Sequence, residues 1–243
     1  MIAEFQDGQQ ALKRAVLASD NVVFFGGAGV STESGIPDFR SSNGLYHQSY
    51  RYPPEQVVSH SFFMEHTEAF YEFYRDKMIN LDAQPNMAHR RLAELERQGH
   101  VRAIVTQNID GLHQKAGSSC VYELHGSVHR NYCMDCHAFY PVEYIVETPG
   151  IPHCEQCGGI VKPDVVLYEE ALDENVLENA VRAISQAEVL ICAGTSLSVY
   201  PAAGLLRYFS GKTLAVINLS PTALDKNADI LIPAKVGEVF DWD

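Results

Sequence analysis

Short, unbroken apolar runs recur along the chain, rich in β-branched and aromatic residues. They are Val22–Phe25, Ala103–Val105, Val121–Leu124, Val189–Cys192, Leu214–Ile217 and Ile230–Ile232. An alternating pattern would mark strands with one wet face; continuous apolarity predicts strands of a parallel sheet covered on both faces. Helical spacing fills the gaps between them. Pro85 is expected at a first helical position, with Ala88, Leu92 and Leu95 on one face. Asp173 is expected to cap a helix carrying Val176, Leu177, Ala180, Val181 and Ile184. Pro201 opens a third pattern, with Leu205, Leu206 and Phe209 inward. Strands alternating with helices predict a doubly wound α/β domain.

Two stretches break this rhythm. Residues 42–82 begin polar and aromatic and then read as a helix with Phe63, Phe70, Tyr74, Met78 and Leu81 on one stripe. Residues 126–162 hold four spaced cysteines and little apolar periodicity. Both are expected as insertions forming a small domain. The large domain is then assembled from 1–41, 83–125 and 163–243.

Composition narrows the function classes. The chain has 243 residues and is 46% apolar, enough for one large and one small core. A net charge of -13 repels nucleic acid and anionic membranes and attracts basic partners. No apolar run approaches the length of a membrane span. The start, Met1-Ile2-Ala3-Glu4, lacks the basic-then-apolar build of a signal peptide, so a cytoplasmic location is expected. A reducing compartment disfavours disulfides, and cysteines there read as metal ligands or core residues.

Cys133, Cys136, Cys154 and Cys157 form two C-x2-C pairs separated by seventeen residues, inside the zinc-ribbon template. Four thiolates complete a tetrahedral zinc and leave no position for water, so the expected metal is structural. Gly158-Gly159 lets the backbone curl around it. Cys192 falls in an expected core strand, and Cys120 has no assigned role.

Directly after the first strand comes Gly26-Gly27-Ala28-Gly29-Val30-Ser31. By itself this run fits an ordinary tight turn as well as a phosphate cradle at a helix N-terminus. It departs from the dehydrogenase fingerprint, because Thr32 stands at the third glycine position and no acidic residue ends a second strand at the required distance. Asp38 falls in a loop. A dinucleotide is compatible with this pattern, and hydride transfer is not indicated. Asn108, Asp110 and His125 follow the next two strands, at the carboxyl edge where open α/β sheets bind ligands. A histidine there can serve as a general base near neutral pH, although any one of these polar residues could equally be satisfied by loop backbone.

The ordered set of segments resembles the signature of the sirtuin family. It comprises Gly27 to Arg40 (GAGVSTESGIPDFR), Thr106 to His113 (TQNIDGLH), Leu124-His125-Gly126-Ser127, the cysteine pairs, Gly194-Thr195-Ser196-Leu197 and Ile217-Asn218. The resemblance implies an NAD-dependent protein lysine deacetylase with a Rossmann-like domain and a small domain of zinc ribbon and helical insertion. It implies that Gly27, Ala28, Gly29, Ser31 and Arg40 hold the NAD phosphates and ribose edge, with Asp38 and Phe39 near the nicotinamide. Gln107, Asn108 and Asp110 would line the nicotinamide pocket, and Gly194, Thr195, Ser196, Asn218 and Val236 the adenosine half. Val165, Val166, Leu167, Ser198 and Val199 would sandwich an acyl-lysine peptide by strand addition. Nicotinamide leaves, the acyl oxygen attacks the ribose C1′, and His125 deprotonates a ribose hydroxyl, giving 2′-O-acetyl-ADP-ribose. Relatives that remove acidic acyl groups carry Tyr and Arg three residues apart; here Tyr71 is followed by Tyr74, with Arg75 about 100° round the helix, so acetyl is expected over succinyl. Protein ADP-ribosyltransfer is the rival within NAD chemistry, and a zinc-ribbon scaffold the rival of another class. A monomer is expected, with the oligomeric state left open. With almost no tail beyond Trp242-Asp243, no further regulatory domain is expected.

Overall fold

The structure, a computed structural model, describes residues 2–39, 44 and 50–242. Its strands are β1 (Val22–Gly26), β2 (Val101–Thr106), β3 (Val121–Glu123), β4 (Gly126–Cys133), β5 (Phe139–Pro141), β6 (Val161–Val165), β7 (Val189–Ala193), β8 (Thr213–Ile217) and β9 (Ile230–Ile232). Its helices are α1 (Ile2–Leu17), α2 (Pro54–Val57), α3 (His60–Glu65), α4 (Thr67–Phe73), α5 (Met87–Arg97), α6 (Leu112–Lys115), α7 (Val142–Glu147), α8 (Glu174–Gln186) and α9 (Val236–Phe240).

Six strands form one parallel sheet in the order β3-β2-β1-β7-β8-β9. Successive side chains of β1 enter opposite cores, which is why the run carries no alternation. Val22 and Phe24 join Leu12, Leu92 and Phe240 on one face; Val23 and Phe25 join Ile184, Leu205 and Leu206 on the other. Helices α1, α5 and α9 cover the first face. Helix α8 and a 3-10 segment over Ala202–Tyr208 cover the second. Among the described residues no helix is long and apolar enough to cross a membrane.

A second, antiparallel sheet, β5-β4-β6, is built from the cysteine-bearing stretch. It shares a core with the 50–79 segment, through Phe63, Phe70, Tyr71 and Tyr74 against Val128, Val161 and Val165.

Two local expectations need correction, and one helix lies outside them. The stripe expected as one helix over 63–81 is broken. Ser59 caps α3 by accepting from the Phe62 amide, His66 leaves helical geometry, and α4 runs into a π-helical turn over Tyr74–Met78. Leu81 lies in a turn beyond it, 38% exposed. Periodicity survives such breaks because the apolar face still meets one core. Pro85 is not a first helical residue: Asn86 is the N-cap of α5. Its Oδ1 accepts from the Ala88 amide, and its own amide donates to His89 Nδ1. Helix α1 had no counterpart among the expected elements.

Asn86 also reaches across the fold, donating from Nδ2 to the Val30 carbonyl at 2.7 Å and to Ser34 Oγ at 3.1 Å. Asn86→Ala should therefore cost a helix cap and leave a buried carbonyl unpaired, about 2 kcal/mol together. Urea unfolding checks this, and a loss below about 0.5 kcal/mol would contradict it.

Candidate active site and metal centre

Loops leaving β1 and β7 meet backbone to backbone at the carboxyl edge of the sheet. The Gly27 amide donates to the Ala193 carbonyl at 3.2 Å and the Gly29 amide to the Gly194 carbonyl at 2.8 Å. A Cβ on Gly29 would stand 2.8 Å from Gly194 Cα, and one on Gly194, whose φ is +60°, would stand 2.5 Å from the Val30 nitrogen. The glycines thus serve loop-on-loop packing. No long helix follows β1, as the phosphate-cradle reading expects; 3-10 turns over Ala28–Val30 and Thr32–Ser34 take its place. The amides of Gly27, Gly29, Val30 and Ser31 all donate to backbone carbonyls, so they hold the loop's own shape.

The loop after β2 is tied to the first loop by side chains. Ser31 Oγ accepts from Asn108 Nδ2 at 3.0 Å and donates to Asp110 Oδ2 at 2.6 Å. Asp110 Oδ1 accepts from the Leu112 amide at 2.9 Å. Gln107 donates its amide to the Gly26 carbonyl and its Nε2 to Thr195 Oγ1, joining three strand ends. Asn218 Nδ2 donates to the Thr195 and Ser220 carbonyls at 3.2 and 2.9 Å.

His125 follows β3, and its ring is fixed by one bond. A carbonyl can only accept, so Nδ1 carries the proton and donates to the Gln107 carbonyl at 2.9 Å. Nε2 is then the basic nitrogen of the neutral ring. Burial lowers the pKa below the ordinary imidazole value, because the charged form loses water; the Gln107 carbonyl opposes this more weakly. The His125 carbonyl in turn accepts from the Val166 amide at 3.0 Å.

These groups surround a cavity of about 620 Å³. Gly27, Ala28, Gly29, Ser31, Asp38, Phe39, Gln107, Asn108, Asp110, His125, Gly194, Thr195, Ser196, Asn218, Val236, Val165, Val166, Leu167 and Val199 all line it. Ser198 is not among the lining residues, but its hydroxyl lies 2.6 Å from that of Ser196, which is. Arg40 lies outside the described residues. Sequence reading missed Glu33, whose carboxylate accepts from the Gly237 amide at 2.6 Å and pins α9 to the first loop. A contact between residues so distant in sequence leaves no periodic or spacing signal. It also missed the wall from the helical insertion, where Val58, Phe70, Tyr74 and Met78 enter the cavity.

Tyr71 and Arg75 do not reach that wall. Tyr71 is fully buried and donates to the Val161 carbonyl. Arg75 donates to the carbonyls of Ile145, Thr148 and Gly150 at 2.6–2.7 Å. Both side chains staple the helical insertion to the cysteine-bearing module. At the wall stands Tyr74, whose phenol burial keeps neutral.

The four cysteine Sγ atoms all lie within 4.8 Å of one another. Tetrahedral zinc with bonds near 2.3 Å sets thiolates roughly 3.8 Å apart, so the cluster fits it. A left-handed residue follows each pair, His137 at φ +60° and Gly158 at φ +80°. Gly159 is required as well, because a Cβ there would collide with the Asp135 carboxylate and sit 3.0 Å from Cys133 Sγ. Tyr140 donates to Cys154 Sγ at 3.2 Å, and such support around a metal ligand fixes its orientation. By contrast Cys192 is an inert core residue, its thiol pushed up to about 12 by burial.

The family model described as Sir2 family matches residues 27–201. A protein of Clostridium acetobutylicum described as an NAD-dependent protein deacetylase is 61% identical over 233 residues, covering 95% of each chain. A solved Sir2 variant with deacetylated p53 peptide and 3′-O-acetyl ADP ribose aligns at TM-score 0.88 and 39% identity, covering 95% of each chain. A Sir2 structure with p53 peptide and NAD+ aligns at TM-score 0.84 and 39% identity, covering 95% of this chain and 94% of that one.

Removing the metal with a chelator should loosen β4, β5 and β6, since two of its four ligands, Cys133 and Cys154, are themselves buried in that module's core, while the parallel sheet persists. Hydrogen exchange resolves the two sheets. Unchanged protection of β4 in metal-free protein would rule out a structural zinc.

Proposed function

Because the chain belongs to the Sir2 family, we propose that it is an NAD-dependent protein lysine deacetylase that moves the acetyl group of an acetyl-lysine peptide onto the ADP-ribose of NAD. The observation that carries the reading is His125. It is a neutral base with its tautomer fixed, lining one cavity with the loops after β1 and β7 and the Val165–Leu167 segment. NAD supplies an electrophilic ribose carbon when its nicotinamide departs. The residues of this chain do the rest.

Gly27, Ala28, Gly29 and Ser31 receive the phosphates with Arg40, and Gly194, Thr195, Ser196, Asn218 and Val236 receive the adenosine. Asp38, Phe39, Gln107, Asn108 and Asp110 enclose the nicotinamide end. Ser31, held between Asn108 and Asp110, keeps both side chains aimed before the cosubstrate arrives. The amides of Val166, Leu167 and Tyr168 are already engaged, so a peptide strand meets this segment through its carbonyls and meets Ser198 and Val199 across the cleft. His125 Nε2 takes the ribose hydroxyl proton. Segments 1–41, 83–125 and 163–243 form the NAD-binding unit, and 42–82 with 126–162 the small one. The protein acts in the cytoplasm, as a monomer, on acyl-lysine proteins.

Acyl choice follows from Tyr71 and Arg75. With both spent on carbonyls of the small module, no cation of that pair is left for an acyl carboxylate. With NAD, an acetyl-lysine peptide should turn over at least about tenfold faster than its succinyl counterpart. Succinyl turnover equal to or faster than acetyl would overturn this selectivity.

His125→Ala should lower kcat by roughly a hundredfold or more with NAD affinity retained. The base works unprotonated, and its pKa is lowered. The acid limb of kcat/KM should therefore fall below about pH 6.5, the ordinary imidazole value, with activity rising as pH climbs through it. A limb centred above that value, or an unimpaired alanine variant, would remove His125 from this role.

A further inference from the structure

We propose that Glu170 is a positioning residue for the acetyl-lysine peptide, fixing the Val165–Leu167 segment and linking it to the zinc module. The inference rests on the reading that this segment receives the peptide. Glu170 Oε2 accepts from the Leu167 amide at 2.9 Å and from Lys162 Nζ at 3.1 Å, and Oε1 pairs with His60 Nδ1 at 2.9 Å. One carboxylate thereby joins the cleft segment, strand β6 and helix α3.

Each partner has its own anchor. Lys162 lies one residue after Val161, which pairs with the zinc ligand Cys133 across β4 and β6. Its ammonium also donates to the Val165 carbonyl at 3.2 Å. His60 opens α3, and its amide donates to the Tyr168 carbonyl at 3.0 Å. The carboxylate is mostly shielded, with 21% of its side chain exposed. Burial raises its pKa, yet the Leu167 amide, His60 and Lys162 outweigh that and hold it below the ordinary carboxylate range.

The segment needs such a hold. Glu169, next along, has φ +77°, a left-handed conformation that costs a side chain about 1–2 kcal/mol and persists only where neighbours over-determine it. Its carboxylate accepts from the Ser61 amide and hydroxyl at 2.9 and 3.0 Å. The turn is thus held on one side by Glu169 against α3 and on the other by Glu170 against the Leu167 amide. The His125 carbonyl meets this segment at the Val166 amide, but its ring is held separately, by the Gln107 carbonyl. Loss of Glu170 should thus loosen the peptide wall and spare both base and NAD site.

The test compares the intact enzyme with Glu170→Ala, Glu170→Gln and Lys162→Met. It measures zinc content, NAD affinity by calorimetry, and steady-state rates with an acetyl-lysine peptide. Glu170→Ala should raise the peptide KM about tenfold with kcat and NAD affinity within about twofold. Glu170→Gln keeps an acceptor for the Leu167 amide and should fall between. Lys162→Met combined with Glu170→Ala should be no worse than Glu170→Ala alone. Should the alanine variant lose its zinc, the glutamine variant is judged on the same criteria. An unchanged peptide KM, or a parallel loss of NAD affinity, would overturn the inference. Failure of the deacetylase reading looks different: the unaltered protein would release no nicotinamide with the peptide.

Discussion

The backbone contact between Gly29 and Gly194 is the constraint on which the site depends. Strand order leaves β1 between β2 and β7, and the connections diverge on either side of it. Such a switch point opens a crevice at the carboxyl edge of any doubly wound sheet. Here the crevice is given a floor, because the loops from β1 and β7 touch through positions where a Cβ cannot fit. With the floor fixed, short polar side chains complete the site. Ser31 bridges to Asn108 and Asp110, Gln107 bridges to Thr195, and the Gln107 carbonyl sets the His125 ring. Each bond links loops at neighbouring strand ends, so this part of the geometry is inherited from the sheet.

The small module acts on that site at a distance. Zinc closes the two cysteine turns, and β4 runs from the metal back to Gly126, beside His125. Strand β6 makes the return journey, from Val161 near the metal to Val165 at the cleft. A Cβ on Gly126 would collide with the Asp164 carbonyl, so the two strands close tightly where they reach the active site. Four thiolates complete the metal's coordination, so what it contributes is the shape of the cavity wall.

Much of this was legible in the sequence, for identifiable reasons. The sheet strands were legible because burial on both faces makes a run such as Val22–Phe25 uniformly apolar. The zinc clamp was legible because its ligands repeat at fixed spacing. Asp173 was legible as a cap, and it accepts from the Val176 amide as expected. Signals failed where tertiary contacts decide. Helical spacing does not reveal the break at His66, and a proline beside a helix start does not announce that the next residue, Asn86, is the cap and also holds Val30 and Ser34. The glycine loop suggested a helix start, yet its glycines answer to Gly194 and Thr195, far along the chain. Arg75 and Glu170 owe their roles to carbonyls and amides of other segments, which residue type alone cannot announce.

Consumption of NAD as the acetyl group moves is tested most directly by stoichiometry. Incubation with NAD and an acetyl-lysine peptide, followed by mass spectrometry, should give nicotinamide, acetyl-ADP-ribose and free lysine in equal amounts, and nothing without NAD. Acetate released with NAD intact, or ADP-ribose attached to the protein with the acetyl group still in place, would contradict it.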